Sequence, residues 1–202
     1  NTEIVMNVID EINKASYNGI VVIKSTIIVG TTQKIVKKYP DLKVVFNPEF
    51  LTEANTVYDF MHPHCIYLGG RKEYCEKIKT IYNKIFDNFV PYYISEDTNL
   101  VEMVKYTANS FLAIKVGFFN EMYQICKGMG IDYSELVKSL LYDDRIGNTH
   151  MKVPGNDGTL GFGGSCFPKD LNALMTKAKE LSINPLIMSS TLKKNKIIRK
   201  EE

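Results

Sequence analysis

Ten consecutive residues, Gly161-Phe162-Gly163-Gly164-Ser165-Cys166-Phe167-Pro168-Lys169-Asp170, combine three glycines, a cysteine and a proline in an order suited to covalent chemistry. Glycines let backbone amides approach a ligand closely, and Pro168 suits the first position of a helix. The N-terminus of such a helix favours the thiolate of the cysteine placed just before it. Most cysteines are small buried residues with no chemical task, so it is the setting that makes Cys166 a candidate nucleophile.

Other candidates stand apart from this stretch. Lys105 and Asn109 are spaced i and i+4, so on a helix they project from one face about one turn apart and can hold an oxyanion. Without further support, an exposed lysine and a polar helix residue explain them equally well. Asn120 returns to nearly the same face, with Glu121 beside it; packing within a helical interface is as good an account of them, and Lys115 points elsewhere. Glu49 follows Pro48 at the end of an expected strand, where an α/β sheet presents ligand groups, and its carboxylate can act as a general base. Glu53, four residues on, can support a cofactor instead. Thr26 lies just past another strand end, where its hydroxyl can hold a water or simply close a turn. His62, His64 and His150 have no ligand-like spacing, and no metal is expected.

The elements that must carry these residues are legible in the periodicity. Apolar positions at Ile4, Val5, Val8, Ile9 and Ile12 have helical spacing, and strands are expected at Ile20–Lys24, Lys43–Phe46, Cys65–Leu68 (closed by Gly69-Gly70) and Tyr92–Ile94. Helices are expected at Thr31–Tyr39 and Glu73–Phe86. This alternation is the signature of βαβ units and a mainly parallel sheet. After Ser95, a suitable N-cap, there is no proline and only one glycine until Gly128, which predicts a single helix of more than thirty residues. At 1.5 Å per residue it would be about 48 Å long, the kind of helix that spans domains or subunits. Asp132 with Glu135 suggests a capping box for a shorter helix, and helices resume near Pro168 and Pro185. The fold class expected is α/β: the second half of a Rossmann-like doubly wound domain over 1–94, then an all-α domain built on one long helix over 95–202.

Composition narrows the partners. The chain has 202 residues, 45% of them hydrophobic, with 25 basic and 23 acidic side chains and a formal charge of +2, so no broad electropositive face for nucleic acid is expected. Lys193 to Lys200 is the only basic cluster, and a solvated helix face accounts for it. No apolar run approaches the roughly 20 residues that cross a bilayer. Four scattered cysteines, without Cys-x-x-Cys pairs, fit a reducing cytoplasm better than a disulfide scaffold. The apolar positions Val101, Val104, Phe111, Leu112, Val116 and Phe119 on the long helix predict a homodimer through it.

The stretch 161–170 resembles the active-cysteine motif of the UDP-glucose/GDP-mannose 6-dehydrogenase family. Three more segments are similar to family segments in the same order: Lys24-Ser25-Thr26, Asn47-Pro48-Glu49-Phe50-Leu51-Thr52-Glu53, and Glu102-Met103-Val104-Lys105-Tyr106-Thr107-Ala108-Asn109. One such motif is weak and four in order are specific. The resemblance implies NAD-dependent oxidation of a nucleotide sugar's primary alcohol to the acid, UDP-glucose foremost, through a thiohemiacetal and thioester on Cys166. It implies that Lys105 and Asn109 stabilise the oxyanion, that Thr26 and Asp170 orient a water, and that Glu49 assists thioester hydrolysis. NAD contacts are implied at Ser25, Thr26, Glu53, Cys166 and Lys169. Sugar contacts are implied at Glu49, Phe50, Leu51, Lys105, Asn109, Phe162 and Gly163, with Arg145 of Asp144-Arg145-Ile146-Gly147 reaching a neighbouring subunit's substrate. The loop from His150 to Leu160 resembles only a subset of the family, which leaves the identity of the sugar open.

One departure stands out: no Gly-x-Gly-x-x-Gly follows a strand anywhere in the sequence, so the pyrophosphate cradle of a dinucleotide domain is missing. The expectation is a central piece of such an enzyme, a truncated gene product or one part of a split enzyme whose other domains arrive on a separate chain, with little turnover alone. Two alternatives remain at this point: a non-catalytic dimeric assembly or binding module derived from that family, and a hydroxyacid dehydrogenase of similar architecture, which would need no nucleophilic cysteine.

Overall fold

The computed structural model of the chain describes residues 2–52, 55–86 and 90–200. The chain divides into two compact units, residues 1–105 and 106–202.

The first unit alternates helix and strand: α1 (Thr2–Lys14), β1 (Ile20–Ile23), α2 (Thr31–Lys38), β2 (Lys43–Phe46), α3 (Thr56–Met61), β3 (Ile66–Gly70), α4 (Lys72–Tyr82), β4 (Tyr92–Ser95) and the first turns of α5 (Thr98–Met129). The four strands form one sheet in chain order. Successive side chains of a strand point to opposite faces, and β2 shows it: Val44 and Phe46 join Ile9, Ile23, Ile27, Ile35 and Val101 on one side, while Val45 joins Ile66, Leu68, Cys75 and Ile78 on the other. A sheet buried on both faces gives strands that read as continuous apolar runs. The doubly wound Rossmann-like expectation is thereby met.

The strand directions differ in part from the expectation. β1 pairs with β2 and β3 with β4 in parallel, but β2 and β3 are antiparallel. A parallel return needs a crossover, usually a helix packed on the sheet. Among the described residues the only helix between β2 and β3 is the six-residue α3, which buries none of its residues, so β3 runs back alongside β2. Gly69 and Gly70 do not close β3; they are its last two residues, opposite Phe46 and Val45. A Cβ on Gly70 would lie 2.8 Å from Val44 O, a collision with backbone that requires glycine, and one on Gly69 would press on Val101 Cβ of α5 at 3.1 Å.

α5 has 32 residues, in line with the long helix expected. Its N-cap is Asp97 rather than Ser95. Asp97 Oδ1 accepts from Asn99 N–H at 3.0 Å and Leu100 N–H at 3.3 Å, while Ser95 ends β4 and its hydroxyl accepts from Asp97 N–H.

Among the described residues of the second unit the regular elements are all helices: the rest of α5, α6 (Tyr133–Leu140), α7 (Cys166–Glu180) and α8 (Leu186–Arg199), with irregular chain from 141 to 165. Its core gathers Ala113 of α5, Phe162 of the glycine-rich loop and Leu171 of α7, with Met188 and Leu192 of α8 against them. Asp132 caps α6 by accepting from Ser134 N–H at 2.8 Å; the expected reciprocal arm, Glu135, ion-pairs with Lys138 instead. Among the described residues no helix is long and apolar enough to cross a membrane.

Candidate functional site

In the first unit the candidate residues sit at the carboxyl ends of β1 and β2. Because these strands are parallel, Lys24-Ser25-Thr26 and Asn47-Pro48-Glu49 emerge at the same edge of the sheet. Buried Asn47 organises it: its Oδ1 accepts from Lys24 Nζ at 3.0 Å and from Tyr82 OH at 2.8 Å, and its Nδ2 donates to Tyr67 O at 2.9 Å. Burial pushes the Lys24 ammonium below its usual pKa, with Glu49 opposing.

Lys105, reaching in from α5, is 5% exposed and pairs with Glu49 Oε1 at 3.1 Å. It also donates to the Glu49 carbonyl and lies 5.3 Å from the centre of the Phe50 ring. Glu49 Oε2 accepts from Leu51 N–H at 2.8 Å. Burial pulls the Glu49 pKa upward, but the Leu51 amide, Lys105 and Lys24 together outweigh it and hold the carboxyl below its ordinary range. Glu49 is therefore ionised at neutral pH, and Lys105 is engaged with it. Ser25 is exposed and Thr26 partly buried. Glu53 lies outside the described residues.

The loop that carries Thr26 is held from α5. Glu102, fully buried, accepts from Gly30 N–H at 2.5 Å, Thr32 N–H at 2.9 Å and Thr32 Oγ1–H at 2.6 Å, which caps α2 from another helix. Gly30, the N-cap residue, has φ of 95°, a conformation other residues adopt at a cost. Burial raises the pKa of Glu102 against the three donors that lower it.

In the second unit Cys166 is the first residue of α7, with Ser165 as N-cap. Pro168 is thus the third helical residue rather than the first. The helix end aims its free N–H groups and the positive end of its dipole at this turn. Asp170, one turn on and 1% exposed, accepts from Asn109 Nδ2 at 2.6 Å. Its other oxygen, Oδ1, has no hydrogen-bond donor; Lys169 Nζ stands 3.8 Å away. A buried acceptor left open in this way is a place for a water or a ligand donor.

Phe162 is buried in the core of the unit, and Gly163 is partly exposed. Arg145 folds back onto Asp143 in a two-pronged pair (2.8 and 2.5 Å) and remains 88% exposed, free to be recruited from solvent. Lys115, which the sequence ranked low, holds the same turn by donating to Ile146 O at 2.9 Å and Gly147 O at 3.2 Å. The His150 ring lies 5.8 Å from that of Phe167, the neighbour of Cys166, tilted at 48° to it, and its pKa is lowered by burial and by Lys115. Nothing in the spacing of His150 or Lys115 singled them out, since their partners are loop carbonyls and a ring well removed along the chain. Of the residues expected to act together, Thr26, Glu49, Phe50, Leu51 and Lys105 belong to the first unit and Asn109, Phe162, Gly163, Cys166, Lys169 and Asp170 to the second.

Residues 1–90 match the NAD binding domain of the UDP-glucose/GDP-mannose dehydrogenase family and residues 99–197 its central domain. A UDP-glucose 6-dehydrogenase of Rickettsia typhi is 36% identical over 201 residues, which covers 96% of this chain and 44% of that protein. The solved UDP-glucose dehydrogenase of the hyperthermophilic archaeon Pyrobaculum islandicum has a TM-score of 0.74 at 31% identity, over 88% of this chain and 41% of that one. The GDP-mannose dehydrogenase of Pseudomonas aeruginosa has a TM-score of 0.64 at 28% identity, over 98% and 47%. The chain spans less than half the length of each of these proteins.

Proposed function

Since this chain belongs to the UDP-glucose/GDP-mannose dehydrogenase family, we propose that it serves the NAD-dependent oxidation of a nucleotide sugar's primary alcohol to the carboxylate, with UDP-glucose as the first substrate to test. Residues 1–94 act as part of the NAD-binding domain and 95–202 as the helical central and dimerisation domain. The observation that carries the reading is the position of Cys166 at the first turn of α7, with buried Asp170 one turn on and Asn109 bonded to it.

The parallel carboxyl edge of β1 and β2 fits the nicotinamide end of the cofactor, whereas a glycine-rich pyrophosphate cradle is not found within these 202 residues. NAD, when bound, accepts a hydride in each of two oxidations. Ser25, Thr26, Glu53, Cys166 and Lys169 contact it. Glu49, Phe50, Leu51, Phe162 and Gly163 hold the sugar, and Arg145 reaches the sugar of a neighbouring subunit. Cys166 adds as thiolate to the aldehyde left by the first oxidation. The carbonyl π bond becomes a C–S bond and an oxyanion, and the tetrahedral carbon keeps the aldehyde's single hydrogen, which it can now give up as hydride. Lys105 and Asn109 stabilise that oxyanion. The second oxidation leaves a thioester, which water held by Thr26 and Asp170 cleaves with help from Glu49, and Cys166 returns as the thiol. For Lys105 to serve, the incoming alcohol must displace part of its bond to Glu49. In all, one water enters and two hydrides leave per sugar.

The test is single turnover on the chain joined to the flanking segments of a relative, with NADH counted per sugar and product identified by mass spectrometry. Two NADH and the uronate are expected with UDP-glucose. Cys166→Ser should spare some alcohol oxidation and stop acid formation, because an un-ionised hydroxyl is a poor nucleophile. Undiminished acid formation by that variant would sink the thioester route. A second reading, a dimeric assembly module, is favoured by the exposed residues Phe111, Phe118, Ile125 and Met129 on α5; it would be supported by failure of Cys166 to react faster than a free thiol.

A further inference from the structure

Two buried asparagines grip the backbone of the cysteine loop. Asn120 of α5 accepts from Gly161 N–H at 2.8 Å through Oδ1 and donates to Val116 O at 2.9 Å through Nδ2. Asn195 of α8 accepts from Phe162 N–H at 2.8 Å and donates to Phe162 O at 2.9 Å. They are 2% and 3% exposed. An amide that meets both the N–H and the C=O of one residue replaces a neighbouring strand, and it satisfies backbone groups that this buried segment cannot satisfy through helix or sheet.

The fit extends to atomic contact. Gly161 has φ of 75°, and a Cβ there would lie 2.4 Å from Asn195 Oδ1; a Cβ on Gly163 would lie 2.7 Å from Arg199 Nη2. Arg199, one turn past Asn195, donates to Thr159 Oγ1 at 2.7 Å and to Leu160 O at 3.3 Å. From Phe162 only Gly163, Gly164 and Ser165 lead to Cys166, and glycines left alone explore many conformations. Beyond Cys166 the helix is anchored by Asp170 on Asn109 and by fully buried Leu171, which packs with Phe162. The loop is thus fixed on both sides of the thiol, on the near side by α8.

We propose that Asn195, assisted by Asn120, is a positioning residue for Cys166: it sets the backbone at Gly161-Phe162 and with it the entry of the chain into the first turn of α7. This rests on the reading of Cys166 as nucleophile. A role limited to filling volume would be met by leucine or aspartate, which are close to asparagine in size; the two-way hydrogen bond would not.

The test is competitive alkylation of the intact chain with iodoacetamide, mapped by peptide, for the parent, Asn195→Leu and Asn195→Asp. Buried Cys126, in the same unit, reports loss of fold. Cys166 should slow about fivefold in both variants, the scale of a helix-end charge effect, while Cys126 stays unreactive. The ultraviolet thiolate absorbance that Cys166→Ser removes should also fall. If Asn195→Leu opens Cys126, Gly161→Ala, which drives the Asn195 amide off the loop and leaves α8 unaltered, takes its place. Parent-like rates and absorbance in the variants that keep Cys126 closed overturn the proposal. So does hydrogen exchange on the parent chain in which the Gly161 and Phe162 amides lack protection. A parent Cys166 no faster than a free thiol, with those amides protected, would instead discard the nucleophile reading.

Discussion

The side-chain amide of Asn109 donates to the Asp170 carboxylate at 2.6 Å, with both residues buried. A buried acceptor that loses its donor keeps the full desolvation penalty, so the bond matters more in its absence than in its presence. Asn109→Ala should lower the stability of the second unit by about 1–3 kcal/mol. Asp170→Asn, which keeps an acceptor oxygen for the Asn109 amide, should cost less. Urea denaturation of both variants checks the order, and equal losses would show that the retained acceptor does not replace the carboxylate.

Cys166 should be alkylated fastest of the four thiols. Cys75 and Cys126 are buried, and burial pushes the Cys75 thiol up to about 11. Burial also raises the pKa of Cys65. Peptide mapping after a short pulse of limiting reagent decides; faster labelling of any other cysteine under native conditions counts against the assignment.

The Glu49 carboxyl lies below its ordinary range, so its contribution to stability is present above the unfolded-state value of about 4.3 and fades as pH falls through the folded value. Between neutrality and about pH 5 the parent chain should therefore show a flat contribution from this group. Below that, Glu49→Gln should lose stability less steeply than the parent. Urea midpoints across the acid range measure it; parallel curves would mean that Lys105 and the Leu51 amide do not hold the carboxylate.

Lys105→Ala should slow both oxidations in the joined enzyme, since charge develops on the same oxygen in each, by a factor of about 100 or more. Cys166→Ser should spare the first. NADH per sugar and the identity of the released product separate the two patterns.

Dimerisation through α5 should depend on Phe111, Phe118 and Ile125, which are seven residues apart and exposed at 62%, 52% and 52%. Val101 and Phe119, apolar positions that the sequence also offered for this interface, are buried in the cores of the protein and cannot contribute. Phe118→Glu should give a monomer in sedimentation at concentrations where the parent chain is dimeric.

The chemistry-bearing stretch 161–170, the length of α5 and the strands β1 and β2 were legible because each is written in local pattern: glycine spacing, absence of helix breakers, and runs of β-branched residues. The reversal of β3 was not. It depends on whether the chain between β2 and β3 packs as a crossover, and α3, six residues long, buries none of its residues, apolar though most of them are. Asp97 displaced Ser95 as cap because two residues within three positions could both serve, and β4 took Ser95. Asn120 shows in the sequence only as a return to the helical face of Lys105 and Asn109, without its task, and Asn195 leaves no signal, since their loop partners lie 41 and 33 residues away.

The cap that Glu102 places on α2 binds together residues 70 and 72 positions apart. An eight-residue helix has little stability of its own in water. Its first-turn amides therefore remain with water until the chain has been made past position 102 and the start of α5 has folded against the sheet. A nascent chain halted between β4 and α5 would hold all four strands yet leave the Thr26 loop without its anchor. For this half of the protein, the order of synthesis delays completion of the β1 edge until a helix that follows the last strand has emerged from the ribosome.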